Sequence, residues 1–256
     1  MLTNQSASGE SHERNYQDLA FRLEDVGDST DRVGTEASGM AMKPYYEQSG
    51  VTIYHGDCRE VFPAVSVDVI ATDPPYGTGQ KIAYDVYRDY MPQWRELLSW
   101  LLSLDRPMAF TMSHTRLVDL PKWPQWLGCW DKVFTGGIVH VGCSPTWEPI
   151  CFYNLPSKTR GVRRWDDVFR FTPAGFPFNR THDADEHPCP KPVDLYVALL
   201  NVLPVGVVGD PMMGSGTTLV AAKTIGRTAI GCDMSEKYCE IAAKRLQQEA
   251  LPLEVA

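Results

Sequence analysis

Two short stretches of the sequence hold residue types whose spacing suits chemistry. The first is Asp73-Pro74-Pro75-Tyr76, directly after the apolar run Val67–Ala71. Two prolines cannot continue a central strand, so the chain must leave the sheet here, and the Pro74 carbonyl has no local helical partner. A carboxylate and a carbonyl are both acceptors, which suits an amino group with two N–H donors, and the Tyr76 ring could stack on a planar base. The alternative is a Pro-Pro turn capped by Asp73, with Tyr76 packed beside it.

The second stretch is a Gly-rich turn between a strand and a helix. It runs Val207-Val208-Gly209-Asp210-Pro211-Met212-Met213-Gly214-Ser215-Gly216-Thr217-Thr218. No Lys follows Gly216, which excludes a phosphate-binding P-loop, and the G-x-G-x-x-G dinucleotide fingerprint does not appear. Further on, Asp233 ends the next strand, where doubly wound folds place an acid on ribose hydroxyls. Together these features suit a nucleoside such as S-adenosyl-L-methionine. The alternative is a tight turn and a solvated acid.

Alternating strands and helices are needed to position these two stretches. Apolar runs predict strands at Val51–Tyr54, Val67–Ala71, Met108–Met112, Gly137–Val141, Ile150–Tyr153, Val205–Gly209 and Thr228–Cys232. Helical spacing predicts helices at Met91–Leu104, Pro192–Leu203, Gly216–Ile225 and Ser235–Gln248. The alternation predicts an α/β fold with a doubly wound, mostly parallel sheet, which binds ligands at the carboxyl edge of its strands.

Composition limits the classes of protein that this chain can be. Its 256 residues are 43% hydrophobic and include seven Trp, eleven Tyr and nine Phe, which is ample material for a core. No window approaches the roughly 18 apolar residues of a membrane span, and the N-terminus lacks the pattern of a secretory signal. Seven Cys without a CxxC spacing favour reduced thiols in the cytoplasm over disulfides or a zinc ribbon, and no metal site is predicted.

Charge is distributed unevenly along the chain. The net charge is −8, and residues 1–42 alone carry eight acidic and three basic side chains. This stretch shows no sustained apolar period and is predicted to be a disordered acidic tail, leaving residues 43–256 as the folded domain. Residues 156–180 are the opposite, with six basic and two acidic side chains. The overall acidity therefore does not exclude a nucleic-acid partner.

The motifs together resemble the amino-methyltransferases of DNA. The match consists of the tetrad at 73–76, the run at 210–218, and His187-Pro188-Cys189-Pro190-Lys191-Pro192 just before it. The catalytic motif precedes the cofactor motif, as in the permuted beta class, which includes many N6-adenine and N4-cytosine enzymes. The resemblance covers roughly residues 50–248. It implies a Rossmann-like, S-adenosylmethionine-dependent methyltransferase fold with permuted motif order.

The resemblance also implies roles for single residues. Asp73 and the Pro74 carbonyl would hold the target amine, next to Pro75, and Tyr76 would stack on a base rotated out of the helix. The methyl donor would lie against the turn formed by Asp210, Pro211, Met212, Gly214, Ser215, Gly216 and Thr217, with Asp233 on its ribose. Asp57 matches an acid near the donor's adenine, and His187 and Lys191 match the segment over its amino-acid end. Where the family usually has Phe, this chain has Met212, a soft apolar substitute.

The DNA-recognition segment is predicted as a short insertion at about 154–186. Four cations lie close together there and could contact phosphates or a guanine edge: Lys158, Arg160, Arg163 and Arg164. The aromatic residues among them are more typical of core packing. Family recognition regions are often longer, which leaves room for a second subunit, as in a homodimer, to share recognition. A cognate restriction enzyme encoded elsewhere is a further candidate partner.

Four functions compete at this stage. The resemblance favours an N6-adenine DNA methyltransferase, because relatives that act on cytosine more often carry Ser at the first position of the tetrad. An N4-cytosine enzyme with the same geometry is the nearest alternative. An RNA or protein amide substrate is a third. The fourth is a non-catalytic DNA-binding relative, against which the intact tetrad and Gly-rich turn argue.

Overall fold

The computed structural model describes residues 42–76, 91–133, 146–156, 165–173 and 191–248. The strands of this part are β1 (Tyr46–Gln48), β2 (Val51–His55), β3 (Val69–Thr72), β4 (Met108–Thr111), β5 (Trp126–Asp131), β6 (Trp147–Tyr153), β7 (Val168–Arg170), β8 (Val208–Asp210) and β9 (Ala229–Asp233). Its helices are α1 (Cys58–Val61), α2 (Met91–Ser103), α3 (Val193–Val202), α4 (Thr217–Thr224) and α5 (Glu236–Gln247). In this part of the chain no helix has the length and apolar character to cross a membrane.

The described strands form one mixed sheet in the order β1-β2-β9-β8-β3-β4-β6-β5-β7. Strands β2, β9, β8, β3 and β4 are parallel to one another. Strand β6 lies between β4 and β5 and is antiparallel to both. Because the parallel strands end at one edge, residues that follow them meet there although they are far apart in sequence.

Helices cover both faces of the sheet. Along β3, Val69 and Ala71 join a buried cluster with residues of α3, α4 and α5, whereas Ile70 points to a second cluster that includes Leu98 and Leu101 of α2. Neighbouring residues of a strand point to opposite faces, so a strand that is apolar throughout must be covered on both. The predicted doubly wound, mostly parallel α/β fold is therefore confirmed.

Most predicted elements are present, with shifted ends. The strand predicted from Val205 begins at Val208, because Val205 is 93% exposed and Gly206 turns the chain at a φ of 147°. The strand predicted over Val67–Ala71 is found at Val69–Thr72. The sequence analysis missed β5, an amphipathic strand rich in Trp, together with the three-residue strands β1 and β7. The strand predicted at Gly137–Val141 lies outside the described residues.

Part of the predicted DNA-recognition insertion belongs to the sheet. Strand β7 pairs with β5 in parallel, and Phe169 in it is buried. The rings of Trp165 and Phe169 both pack near Phe152 of β6, with centroids 5.1 and 6.3 Å away. These aromatic side chains are core residues, as expected for most of them. The domain boundaries predicted at residue 43 and at about 154–186 remain predictions.

Candidate active site

Asp73 stands where β3 ends and the Pro-Pro turn begins. Thr72 pairs with Phe110 in the parallel ladder, so Asp73 lies level with Thr111 of β4, and Thr111 Oγ1 donates to Asp73 Oδ1 at 2.5 Å. Tyr76 Oη lies 2.8 Å from the same oxygen. The turn itself is fixed by Trp94 of α2, whose Nε1 donates to the Pro75 carbonyl at 2.6 Å. Thr111 and Tyr76 thus orient the Asp73 carboxylate, and Trp94 fixes the turn that follows it.

Two lysines and two carboxylates form a compact charged cluster beside Tyr76. Lys191 Nζ lies 2.6 Å from Asp73 Oδ2 and 3.6 Å from Glu148 Oε2, and Lys132 Nζ lies 2.6 Å from Glu148 Oε1. The side chains of Lys191, Lys132 and Glu148 are 12–15% exposed. Burial alone would raise the pKa of Glu148, but the two neighbouring ammonium groups hold it below its usual range. The cluster contains two positive and two negative charges, which makes its burial tolerable.

The Tyr76 ring forms one wall of this cluster. Its phenol lies 2.8 Å from Glu148 Oε2 as well as from Asp73, and Lys191 Nζ lies 4.9 Å from its ring centroid. A second aromatic ring, Trp130 of β5, lies 5.9 Å from the same ammonium. Burial and the two carboxylates raise the pKa of Tyr76 well above its usual value, so the phenol keeps its proton.

The Gly-rich turn connects β8 to α4 at the same edge. Gly214 and Gly216 adopt φ values of 50° and 77°, which L side chains rarely tolerate. A Cβ on Gly216 would lie 2.7 Å from Ala242 Cβ, so this glycine is required for the close packing of α5. Arg245 of α5 donates to the Ser215 carbonyl at 2.6 Å and to Thr217 Oγ1 at 3.2 Å. The turn is therefore held from α5 and is built before any ligand binds.

Asp210 is buried between the two motifs. Its Oδ1 accepts from Thr72 Oγ1 at 2.7 Å and from the Met212 backbone N–H at 3.2 Å. Desolvation raises its pKa to about 7, against the lowering effect of hydrogen bonds from Thr218, Thr72 and Met212. With an exposed fraction of 2%, the carboxyl joins the end of β3 to the Gly-rich turn.

The two acids predicted to contact the methyl donor, Asp233 and Asp57, differ in how many of their carboxylate lone pairs are already used in hydrogen bonds. Asp233 Oδ2 accepts from the Gly214 N–H at 3.0 Å and Oδ1 from the Ser235 N–H at 2.8 Å, so each oxygen retains a lone pair. Asp57 caps α1 and accepts hydrogen bonds from two side-chain nitrogens of Arg59. These hydrogen bonds lower the pKa of Asp57 against the effect of its burial. Asp233 is thus the better placed to accept ribose hydroxyls.

The tetrad and the Gly-rich turn meet at a cleft that is partly open to solvent. It is lined by Asp73, Lys191, Tyr196, Asp210, Met212, Met213, Gly214, Ser215, Thr217 and Thr218. The cleft joins the tetrad to the Gly-rich turn, which is what a methyl donor beside a target amine requires. Methionine and tyrosine side chains, glycine backbone and a carboxylate with spare lone pairs fit a nucleoside that carries a sulfonium group.

The structure brings together some of the predicted site residues and adds others. Seven predicted site residues share the cleft: Asp73, Lys191, Asp210, Met212, Gly214, Ser215 and Thr217. Lys191 pairs there with Asp73. Pro211, Gly216, Asp57 and Asp233 are not among its lining residues. His187 and the four cations Lys158, Arg160, Arg163 and Arg164 lie outside the described residues. Sequence reasoning missed Thr111, Glu148 and Lys132. The spacing in β6 held a signal for Glu148. It lies at every second position with Ile150 and Phe152, and so shares the side of the strand on which those two residues are buried.

Comparisons with known proteins agree with this site. A family model described as "DNA methylase" matches residues 142–244. The type II methyltransferase M2.DpnII of Streptococcus pneumoniae is 43% identical, over 82% of this chain and 94% of its own length. M.ScaI of Streptomyces caespitosus is 25% identical, over 82% of this chain and 86% of its own.

Solved structures share the fold. A crystal structure of an M1.HpyAVI–SAM complex has a TM-score of 0.54 at 21% identity, covering 77% of this chain and all of that one. The PvuII DNA methyltransferase, described as cytosine-N4-specific, has a TM-score of 0.57 at 15% identity, covering 82% and 91%. At these identities the two structures show a shared fold and no more.

The fold and site define a methyltransferase that brings a nucleoside cofactor to an amino group. More particularly, the chain belongs to the N6/N4 DNA methylase family, whose methyl donor is S-adenosyl-L-methionine. The predicted resemblance, its permuted motif order and the predicted cofactor are confirmed.

Proposed function

We propose that this protein methylates the N6 amine of adenine at specific sites in DNA. One observation carries the proposal: Asp73 lines the donor cleft, and the described residues leave one acceptor position of its carboxylate without a donor. Each carboxylate oxygen has about two lone-pair sites. Thr111 donates to Oδ1, the Tyr76 phenol lies within hydrogen-bond distance of the same oxygen, and Lys191 donates to Oδ2. The remaining site on Oδ2 supports a role in accepting one N–H of the target amine.

The chain's own groups would prepare the amine for reaction. The lone pair of an adenine amine is delocalised into the ring. If Asp73 and the Pro74 carbonyl each accept one hydrogen, the nitrogen becomes more pyramidal and its lone pair points into the cleft. S-adenosyl-L-methionine, when bound, supplies an electrophilic methyl group for direct displacement. Positioning and fixed electrostatics then supply most of the rate enhancement.

Tyr76 would hold the base after rotation out of the duplex. Its ring is fixed through the phenol, so a base can stack on it at little entropic cost. Lys191 already lies against the ring, which supports placing the base on the open side. The acid at the first tetrad position supports adenine over cytosine, as the family resemblance implies.

The remaining contacts of the donor follow the turn. We assign its amino-acid end to the backbone of Gly214, Ser215 and Gly216, with Met212 packed against it and Pro211 and Thr217 shaping the turn. Asp233 would accept the ribose hydroxyls. Asp57 would approach the adenine only by sharing its carboxylate with Arg59, and we infer a weaker contribution from it. Roles for His187 and for the four cations remain predictions.

We retain three further inferences about partners and location as proposals. DNA is the substrate of the family, and a homodimer would extend a short recognition segment. A restriction enzyme encoded elsewhere would give the methylation a protective purpose. A DNA substrate and seven cysteines without a disulfide-like spacing support action in the cytoplasm.

The test is to treat DNA with the purified protein and isotopically labelled S-adenosyl-L-methionine. The DNA is then digested to nucleosides, which are identified by mass spectrometry. The expected product is labelled N6-methyldeoxyadenosine, formed at one recurring sequence that long-read sequencing identifies. Label in N4-methyldeoxycytidine would replace the proposal with the cytosine alternative. Absence of label in DNA, with the donor bound normally, would favour a non-catalytic relative.

A further inference from the structure

We propose that Glu148 is a positioning residue of the target-amine site: it holds the Tyr76 phenol and the Lys191 ammonium so that Asp73 keeps an acceptor for the amine. The inference rests on the proposed function of Asp73 and Tyr76. It concerns a residue outside both sequence motifs, on an antiparallel strand of the sheet.

The sheet register explains how Glu148 reaches the site. Thr111, the last residue of β4, pairs with Ile150 of β6. Because β6 runs in the opposite direction, Glu148 lies just beyond the carboxyl end of β4, at the edge where Asp73 follows β3. Its side chain points to the same face as Ile150, toward Lys191, which lies just before the first residue of α3. Pairing with Trp130 of β5 then brings Lys132, two residues further, alongside it.

Within the described part of the chain, Glu148 contacts three groups beside the proposed target-amine site. Oε2 lies 2.8 Å from the Tyr76 phenol and 3.6 Å from Lys191 Nζ, and Oε1 lies 2.6 Å from Lys132 Nζ. The side chain is 15% exposed, so these contacts are poorly screened by solvent. A purely structural ion pair between Glu148 and Lys132 would not require the other two contacts.

The phenol has one proton and two carboxylate acceptors, both at 2.8 Å. Glu148 competes with Asp73 for that proton, which leaves the charge of Asp73 less engaged with Tyr76. The second acceptor also fixes the phenol from two sides and thereby fixes the plane of the stacking ring. An amide in place of Glu148 still offers a carbonyl oxygen, but without the charge that oxygen accepts more weakly, so the phenol proton shifts toward Asp73.

Lys191 gives Glu148 a second task. When a target amine donates to Asp73 Oδ2, it shares that oxygen with Lys191. Glu148 Oε2 is about 1 Å further from Nζ than Asp73 Oδ2 is, so a small rotation of the lysine transfers it to Glu148. The ammonium thus keeps a carboxylate partner while the base is bound.

The test compares Glu148→Gln with the wild type on a duplex that carries the mapped target. Gln keeps the size of the side chain and removes its charge. Single-turnover methylation should slow by about 10- to 100-fold, the scale of a misplaced reacting group. Affinity for S-adenosyl-L-methionine should be unchanged, because Glu148 does not line the donor cleft. Glu96→Gln, the same change on the exposed side of α2, should retain the wild-type rate.

A double-mutant cycle with Tyr76→Phe tests the route of the effect. If Glu148 acts through the phenol, Glu148→Gln should cost much less in the Tyr76→Phe background than in the wild type. Fluorescence of 2-aminopurine placed at the target base supplies a readout without methyl transfer, and its rise on binding should be smaller for Glu148→Gln. Thermal unfolding of each variant tests whether it is folded.

The outcomes separate this inference from the proposed function. A folded Glu148→Gln variant with the wild-type rate and the wild-type fluorescence rise overturns the inference and leaves the proposed function intact. Strictly additive losses in the cycle overturn the route through Tyr76. If the wild type methylates cytosine, the adenine proposal fails, and the same comparison on a cytosine target still tests Glu148.

Discussion

At the scale of single residues, the site depends on which lone pairs are already used. Asp73 Oδ1 accepts from Thr111 and lies 2.8 Å from the Tyr76 phenol, so the orientation of the carboxylate is set before substrate arrives. Asp210, by contrast, is sealed between β3 and the Gly-rich turn with a pKa of about 7. Two acids a short distance apart therefore have different tasks, one facing the cleft and one maintaining its walls.

Replacement of Asp73 should separate catalysis from donor binding. In Asp73→Ala the target amine loses its charged acceptor, and methylation should fall by more than about 10²-fold. Affinity for S-adenosyl-L-methionine, measured by calorimetry, should change little, because Asp233 and the Gly-rich turn are untouched. Asp194→Ala, an exposed acid in the first turn of α3, is the control. Methylation within a few-fold of wild type would contradict the mechanism.

Asp210 predicts a dependence of stability on pH. Its pKa is raised in the folded state from an ordinary value of 3.8 to about 7, so the folded protein binds the proton more tightly. This carboxyl therefore favours the fold below pH 4, and its contribution declines as the pH rises from 4 to 7, by at most about 4 kcal/mol.

The Asp210→Asn variant should remove that decline. Asn keeps an oxygen to accept from Thr72 and the Met212 N–H without a charge to desolvate. Urea unfolding at pH 5 and pH 8 should show the variant losing less stability than the wild type between the two. An equal loss in both proteins would show that Asp210 is not the titrating group.

At the scale of elements, the distance between α4 and α5 is set by a glycine. Gly216 has a φ of 77°, and its missing Cβ would lie 2.7 Å from Ala242 Cβ. Gly226, at the other end of α4, has a similar φ of 69° but no atom within 4 Å of its missing Cβ. The two positions thus separate backbone strain from steric contact.

Gly216→Ala should therefore destabilise the protein more than Gly226→Ala. In both variants an Ala must adopt a left-handed backbone conformation, which costs about 1–2 kcal/mol. Gly216→Ala adds overpacking against α5, typically about 1–3 kcal/mol. Displacing α5 also moves Arg245 away from Ser215, so donor affinity should fall in this variant alone. Chemical denaturation and donor titration measure the two effects, and equal stability losses would rule out the contact with Ala242.

The sequence predicted the elements whose signals are local. The tetrad and the Gly-rich turn are contiguous, and their flanking strands are apolar runs, so their types and order could be read directly. In strand β5, buried residues alternate with partly buried ones. Its residues Trp126 and Trp130 were interpreted from the sequence as isolated packing residues and not as part of a strand. Lys132 and Glu148 were missed with it, because they reach the site only through antiparallel pairing, which is not written in local sequence.

At the scale of the molecule, DNA affinity should depend on the four clustered cations of the basic segment. Removing a cation that contacts phosphate should weaken binding to cognate and scrambled duplexes alike and reduce the salt slope by about 0.9. Removing one that reads a base edge should cost roughly 1–3 kcal/mol on the cognate duplex only. DNA affinity measured against salt, for single Ala variants of Lys158, Arg160, Arg163 and Arg164, distinguishes the two. Unchanged affinity and slope in all four would place the DNA-binding face elsewhere.

The position of β8 and β9 within the sheet has a consequence for how the molecule is made. Strand β3 pairs with β8, and Val51 of β2 pairs with Ala229 of β9, so neighbours in the sheet are separated by well over a hundred residues of chain. Contacts of such high sequence separation form slowly, because loop closure must precede them. During synthesis the early strands therefore present open edges until β8 and β9 emerge, and these edges are competent to pair with other chains. Folding yield should then fall steeply with temperature and protein concentration, and the Asp73–Tyr76 tetrad should acquire its geometry only in the last folding step.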